Sequence, residues 1–302
     1  MTNILTHPSG VLLLDELKVL FASDDIKIKP DRHIIFVCGG PVKAKSRSMR
    51  YKFIKYAKKE LSTYRFLLVE SAMKDLSDYM AEPEFINIAT FEELVADLCD
   101  CLLIFPESPG SIAELAYFAN SDTVRKMLVV NDVKLQEESF INLGPIDKIN
   151  KASPFKPTLI IDYKKTVPDF SSIRGKLSKL PSKYRKKLEL KKDGSIVLNS
   201  MLYVIYQIVN IFLYISLDAI LACIKKLFGS GNEDNTRFLL SILIAANYVK
   251  RVGDDNDLFS VVSNAESFLD FKGRSLDDTK ASVILFYQKY YPEIYKLIGG
   301  SE

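Results

Sequence analysis

The chain has 302 residues, with 41 Lys plus Arg against 38 Asp plus Glu and a formal net charge of +3. That length suits one large or two modest domains, at about 100–200 residues each. With 48% hydrophobic and 26% charged residues, the composition is that of a globular protein and excludes wholesale disorder, collagen and a coiled coil. Four scattered cysteines (Cys38, Cys99, Cys101, Cys223) are too few for a disulfide scaffold, and two histidines (His7, His33) argue against a His/Cys zinc site. Neither a metal nor a bound cofactor is expected. The opening MTNILTHPSG has no basic flank before an apolar run, so no signal peptide is expected and the cytoplasm is the default compartment. The near-neutral total hides an asymmetry: between Arg174 and Lys192 nine basic residues face one acid, a local charge of +8, so the rest of the chain sums to −5.

Residues 33–38, HIIFVC, form an apolar run ending in Gly39-Gly40-Pro41, the pattern of a buried parallel strand. Residues 46–61 have helical composition and a Lys/Arg-rich face. A second run, 66–69, ends at Glu70. Thr90-Phe91-Glu92-Glu93 has capping-box spacing, so the sequence predicts a helix starting at Thr90. Further strands are predicted at 102–105, 127–130 and 158–161, with a helix over 111–119. Strands alternating with helices imply a parallel sheet covered on both faces. Ligands of such sheets sit beyond the carboxyl ends of the strands, which puts 38–41, 70–71 and 106–111 on one rim.

The informative rim segment is FPESPGSIAEL, residues 105–115. Pro109-Gly110 makes a turn and Ser111 opens a helix, whose free N–H groups and positive dipole end suit a phosphate or carboxylate. Glu107 and Glu114 flank the turn, and Glu70 offers a third carboxylate; such clusters divide acid, base and nucleophile roles in glycosidic chemistry. A plainer reading stands beside this one. Ser111-Ile112-Ala113-Glu114 is itself a capping box, which would tie Glu114 to the Ser111 amide. Glu107 would then be a solvated loop acid, Gly39-Gly40 a simple turn, His33 structural, and Cys99 and Cys101 core thiols.

Together with IFVCGG (35–40) and FINLGP (140–145), in this order and spacing, the segment resembles the ribosyltransferase-like effector proteins of bacterial retron defence systems. Their N-terminal domain is similar to nucleoside 2-deoxyribosyltransferases. The resemblance implies an α/β, Rossmann-like (flavodoxin-like) domain over 1–165 that cleaves the N-glycosidic bond of a nucleotide, NAD or a related one, needing no cofactor. It implies two catalytic acids. Glu114 attacks the anomeric carbon or stabilises an oxocarbenium-like centre, and Glu107 orients a ribose hydroxyl or activates water. Ser108, Gly110 and Ser111 would hold a phosphate, and Cys38, Gly39, Gly40 and Glu70 would line the substrate. The resemblance further implies a toxic oligomeric effector held in check by the retron's reverse transcriptase and its RNA-linked single-stranded DNA (msDNA). Two departures from simple transferases, a C-terminal half and no Asp close before the motif helix, favour hydrolysis over transfer.

Residues 166–197 read as a basic linker. Lys183, Arg185, Lys186 and Lys187 suit a nucleic-acid backbone, although a solvated face has the same composition. Residues 194–217 carry no charge, which raises a membrane helix as an alternative. The polar residues Asn199, Ser200, Gln207, Asn210 and Ser216 favour a buried core helix instead, followed by an amphipathic helix at 219–228. A helix over 236–250, a polar turn and a strand at 258–262 give the order of a mainly helical, winged-helix-like domain over 198–302. That domain has a net charge of −2, so a duplex-binding face would rest on Arg237, Lys250 and Arg251, and protein docking is an equal use. A last helix over 277–297 carries Phe286, Tyr287, Tyr290 and Tyr291 at core spacing. The competing functional readings are a nucleotide-sensing module without catalysis and a membrane-anchored protein.

Overall fold

The computed structural model of the chain describes residues 7–22, 26–28, 33–43, 47–79, 87–180, 187–191, 194–253, 257–262, 267–271 and 276–299. In chain order the elements begin with α1 (Pro8–Phe21), β1 (Lys27–Ile28), β2 (His33–Cys38), α2 (Met49–Glu60), β3 (Tyr64–Leu67), α3 (Val69–Tyr79) and α4 (Ile88–Leu98). Then come β4 (Cys101–Ile104), α5 (Pro109–Phe118), β5 (Met127–Asp132), α6 (Asp147–Ala152), β6 (Leu159–Ile161) and α7 (Ser171–Leu177). The remainder is α8 (Leu198–Phe212), β7 (Ile215–Ser216), α9 (Leu217–Phe228), α10 (Glu233–Ala245), β8 (Val249–Val252), β9 (Leu258–Val261), β10 (Leu269–Asp270), α11 (Leu276–Tyr290) and α12 (Pro292–Gly299). These form two compact units: Asp31–Ser71 with Ala81–Ser182, and Met1–Pro30 with Ala72–Met80 and Lys183–Glu302.

The first unit holds a five-stranded sheet in the order β3-β2-β4-β5-β6, every pairing parallel. All six residues of β2 and all four of β4 are buried, as expected for central strands covered on both faces. The chain leaves β2 for β3 on one side and returns to β4 on the other. The carboxyl ends of β2 and β4 therefore flank the point where strand order reverses, the usual place for a ligand crevice. On one face, Ile35, Val37, Leu103, Phe105, Leu128 and Val130 pack with Met49, Phe53 and Ala57 of α2 and with Ile173 and Leu177 of α7. The stretch 166–180, read as part of the linker 166–197, thus contributes a helix to this core. Phe170, Ile173, Leu177 and Leu180 recur at helical spacing among the lysines and bury against the sheet. Helix α4 starts two residues earlier than Thr90, because Asn87 is its cap: the Asn87 side chain accepts from Thr90 N at 3.0 Å.

The second unit is built around α8, which buries every residue from Ser200 to Phe212. A helix apolar on all sides is a core helix. Among the described residues no helix is long and apolar enough to cross a membrane, which removes the support for a spanning helix within 194–217. The oxygens of three polar side chains of α8 have partners within the unit: Ser200 Oγ accepts from Glu189 N (2.7 Å), Asn210 Oδ1 from Lys280 Nζ (3.1 Å), and Gln207 Oε1 from the Ser267 hydroxyl, while Gln207 Nε2 is buried without one. The order continues as β7, α9, α10 and the hairpin β8–β9, with sheet order β7-β9-β8. Helix α10 ends at Ala245, so Lys250, expected at a helix end, and Arg251, expected in a turn, both stand on strand β8. The single helix expected over 277–297 is split at Tyr291-Pro292, since proline cannot donate into a continuing helix. Phe286 and Tyr287 are buried, and the Tyr287 hydroxyl donates to Tyr214 O at 2.6 Å. Helix α1 packs on α9 and α11, with Asp15 paired to Lys226 at 2.7 Å. The N-terminal helix therefore shares a unit with the C-terminal half rather than with the sheet.

Phe53 is fully buried, and its ring lies 5.4–5.6 Å from those of Phe66, Phe105 and Phe170. Phe53→Ala should cost about 3–5 kcal/mol, read as a lower urea midpoint at unchanged m-value.

Candidate functional site

The rim between β2 and β4 is organised by Glu107, which follows β4. Its Oε1 accepts from Gly40 N (2.9 Å) and Arg50 N (2.9 Å), and its Oε2 accepts from Met49 N. Two of these donors belong to the first turn of α2, where a carboxylate is favoured by the unpaired N–H groups and the dipole. Glu107 is therefore tied to backbone on both oxygens, not a solvated loop acid. The same packing explains the glycines. A Cβ on Gly39 would stand 2.9 Å from Arg50 Cβ and 3.2 Å from Phe105 Cβ, and one on Gly40 would stand 2.9 Å from Ser48 Cβ and 3.1 Å from the Glu107 carboxyl. The protein's own side chains fill the space that a side chain at either position would need.

Helix α5 starts at Pro109, not at Ser111. Ser108 is the cap, and its hydroxyl accepts from Ser111 N at 3.2 Å. In return Ser111 Oγ accepts from Ser108 N (2.9 Å) and Glu107 N (3.0 Å). Proline is favoured at the first helical position, directly after a serine cap. Two consequences follow. The N–H groups expected to cradle a phosphate at Ser108 and Ser111 are already used, and the exposed Gly110 amide is the first-turn N–H left without an intramolecular acceptor among the described residues. Glu114, one turn further on, is not a capping-box partner and its carboxylate is free to act elsewhere.

Glu114 instead meets Cys38, the last residue of β2, whose buried thiol hydrogen-bonds it. One Glu114 oxygen, Oε2, is buried without a partner. Burial raises the proton affinity of Glu114, while the Cys38 hydrogen bond and the Arg50 charge oppose this and Glu70 adds to it. Burial and the Glu114 carboxylate push the Cys38 thiol well above its ordinary range, so it keeps its proton and serves as a donor. It touches a glutamate and is shielded from open solvent.

Two residues that the sequence did not single out complete the cluster. Glu92, in α4, is pushed up to about 7 by burial first, then by the charges of Glu114 and Glu70, against the pull of Arg50. Arg50 is buried at 5% exposure; its Nε donates to Gly40 O (2.6 Å), its Nη1 to Val37 O (3.3 Å), and its fork engages both oxygens of Glu70. Both were legible as charged residues in apolar stripes. Arg50 precedes Ile54, Ala57 and Leu61 at i+4, i+7 and i+11, and Glu92 precedes Ala96 and Cys99 at i+4 and i+7. Glu70, Glu92 and Glu114 thus act on one another around the Arg50 guanidinium, with burial raising the proton affinity of both Glu92 and Glu114 and holding a proton on Glu92 to about pH 7. A carboxyl protonated near neutrality is what acid–base chemistry requires.

Lys183, Arg185 and Lys186 lie outside the described residues. Lys187 is exposed and bridges antiparallel to Lys27. In the second unit Arg251 forms a two-bond pair with Asp75 (2.9 and 3.1 Å) and stacks over Phe259, while Arg237 pairs with Glu233. Two of the three cations proposed for a duplex-binding face are therefore engaged.

A family profile described as STM3845 retron effector protein matches residues 46–251, a span that carries Arg50, Glu70, Glu92, Glu107 and Glu114. The chain is similar to two Escherichia coli proteins. It is 33% identical over 119 residues to the "Retron Ec86 putative ribosyltransferase/DNA-binding protein", covering 39% of this chain and only 37% of that one. It is 26% identical over 285 residues to the "Retron Ec73 putative ribosyltransferase/DNA-binding protein", covering 87% of each.

Because Glu92 titrates near 7 in the folded chain against about 4.5 when unfolded, the folded state binds more protons between those values. Its contribution to stability is full below pH 4.5 and is lost as pH rises through 7. Urea midpoints measured from pH 4 to 8 should show this decline in the wild type and a flatter profile in Glu92→Gln.

Proposed function

The chain belongs to the retron effector family whose profile spans residues 46–251, and from that premise we propose that its sheet-bearing unit cleaves the N-glycosidic bond of a nucleotide, NAD or a related one, as the toxic arm of a retron. The observation that supports this best is the pairing, in one crevice, of Glu114 with its unpartnered buried oxygen and Glu92 with its proton held to about pH 7. In this reading a Glu114 oxygen forms a bond to C1′ as the C1′–N bond breaks. The bonding electrons leave with the base; a purine takes the proton of Glu92 as it departs, whereas nicotinamide leaves as a neutral pyridine and needs none. Glu92 as a carboxylate then takes a proton from water, which attacks C1′ and frees Glu114. Cys38 orients Glu114. Glu107 we assign to positioning, since its oxygens are occupied by the N–H groups of Gly40, Met49 and Arg50.

The strand order supports a flavodoxin-like, Rossmann-type reading of the sheet: counted from β2 it runs 2-1-3-4-5. The succession α8, β7, α9, α10 and the β8–β9 hairpin suits a winged-helix-like unit. With Arg237 and Arg251 engaged in ion pairs, we assign that unit to docking on protein, the retron's reverse transcriptase or a second copy of the chain. The backbone of the RNA-linked DNA is assigned to the +8 segment, and the DNA-binding names of the relatives agree with such a role.

Incubation of the purified chain with NAD and with nucleotides, with and without the reverse transcriptase–msDNA complex, should release free base detectable by mass spectrometry. Glu114→Gln should slow release by about 10³-fold or more. Glu92→Gln should abolish the limb of the pH–rate profile near 7. Nucleotide binding without any base release would leave the rim as a sensor. Neutralising Lys183, Arg185, Lys186 and Lys187 should flatten the salt dependence of msDNA binding by about 0.7 for each phosphate no longer neutralised, with base release unaffected.

A further inference from the structure

The first β-α-β passage of the sheet runs through β2, the Gly39-Gly40 turn, α2 and β3, and Glu70 follows in the first turn of α3. In dinucleotide-binding β-α-β units an acid at the end of the second strand accepts a ribose hydroxyl. The likeness is one of topology, and the local geometry adds the chemistry. Glu70 presents a side chain 62% exposed, while its partner Arg50 is 6% exposed. Arg50 is held by the carbonyls of Val37 and Gly40 and engages Oε2 and Oε1 of Glu70 through Nη1 and Nη2. The guanidinium therefore grips the carboxylate from the buried side. A carboxylate has about four acceptor positions, two on each oxygen, so one on each oxygen is left for the open side. Two acceptors side by side on an immobilised anion match the paired donors of a vicinal diol. Glu70 lies near enough to act electrostatically on both Glu92 and Glu114, as does its partner Arg50. C2′ adjoins C1′, so whatever grips the diol also fixes the carbon under attack.

We propose that Glu70, locked by Arg50, is a specificity-determining residue that accepts the 2′- and 3′-hydroxyls of a ribose, making ribonucleotides rather than 2′-deoxyribonucleotides the substrate class. This rests on the nucleotide-cleaving reading above. It predicts that kcat/KM for base release from AMP exceeds that from 2′-deoxy-AMP and 3′-deoxy-AMP by about 10- to 100-fold, the range for a hydrogen bond to a charged group. In Glu70→Gln all three values should fall, that of AMP furthest, so that the ratio shrinks to within about threefold. Arg50→Lys, which keeps the charge and loses the fork, should reduce the ratio as well. Should Glu70→Gln be recovered unfolded by circular dichroism, Glu70→Asp, which shortens the reach, reads the same ratio.

No preference for AMP in the wild type, or a preference that survives in folded Glu70 variants, overturns the assignment while leaving the glycosidase intact. If no nucleotide is cleaved, the glycosidase reading fails. Calorimetric titration with the same three nucleotides then measures the preference as binding, and equal affinities, or no binding at all, overturn the Glu70 assignment separately.

Discussion

The rim depends on one carboxylate. Glu107 leaves the end of β4 and accepts N–H groups from the turn after β2 and from the first turn of α2. Hydrogen bonds to a charged acceptor contribute about 1.5–3 kcal/mol each. Those to the first turn of α2 also satisfy amides that the helix cannot satisfy itself. Because Arg50 stands in that first turn, the clamp that seats α2 also aims the guanidinium at the strand-end carbonyls and at Glu70. The glycines at 39 and 40 follow from the same constraint: the loop must approach Arg50, Ser48 and Glu107 so closely that no Cβ fits. One acid of the rim is thus spent on architecture, and Glu70, Glu92 and Glu114 stand outside that clamp.

Burial and charge then divide the remaining carboxyls. Arg50 opposes protonation of both Glu92 and Glu114, but in Glu92 desolvation and two neighbouring anions win, and the group titrates near 7. Glu114 has compensation that Glu92 lacks, namely a thiol donor at the end of β2. Burial raises both acids, and at Glu114 the rise is opposed by a donor that depends on where β2 ends, since Cys38 is its final residue. A hydroxyl or methyl there would alter the proton affinity of a carboxylate on another element.

Much of this is legible in the sequence where burial is two-sided. The runs at β2, β4 and β5 are apolar because both faces of the sheet are covered, and the order of strand and helix then gives the rim. The sequence misleads where polar residues carry structure. Ser108 and Ser111 are both competent caps, and counting back from Glu114 selects Ser111, whereas proline at the first helical position selects Ser108. Helix α7 is hidden by lysines that frame Ile173 and Leu177. Arg50 sits in a helix rich in cations, which mask its place on the apolar stripe of Ile54 and Ala57, and the capping-box spacing at Thr90 does the same for Glu92. A charged residue in phase with a buried stripe is the signal that finds both. The roles of α1 and α3 have no local signature, because which unit a helix joins is decided by partners far away in the chain.

The docking of α1 on α9 and α11 bears on the order of assembly during synthesis. Asp15 and Lys226 are separated by 211 positions, so their unit is held by pairings that close very long loops. The strands and helices of the parallel sheet have all been translated by residue 182, whereas the partners of α1 emerge later. On the ribosome, the segments that carry Arg50, Glu92 and Glu114 are complete while α1 still lacks the helices that bury Leu13, Leu17 and Leu20. In this member of a retron effector family, the half of the molecule bearing the acids is then made before the half that packs around α8. The path of the chain thus separates in time the completion of the acid-bearing rim from the burial of α1.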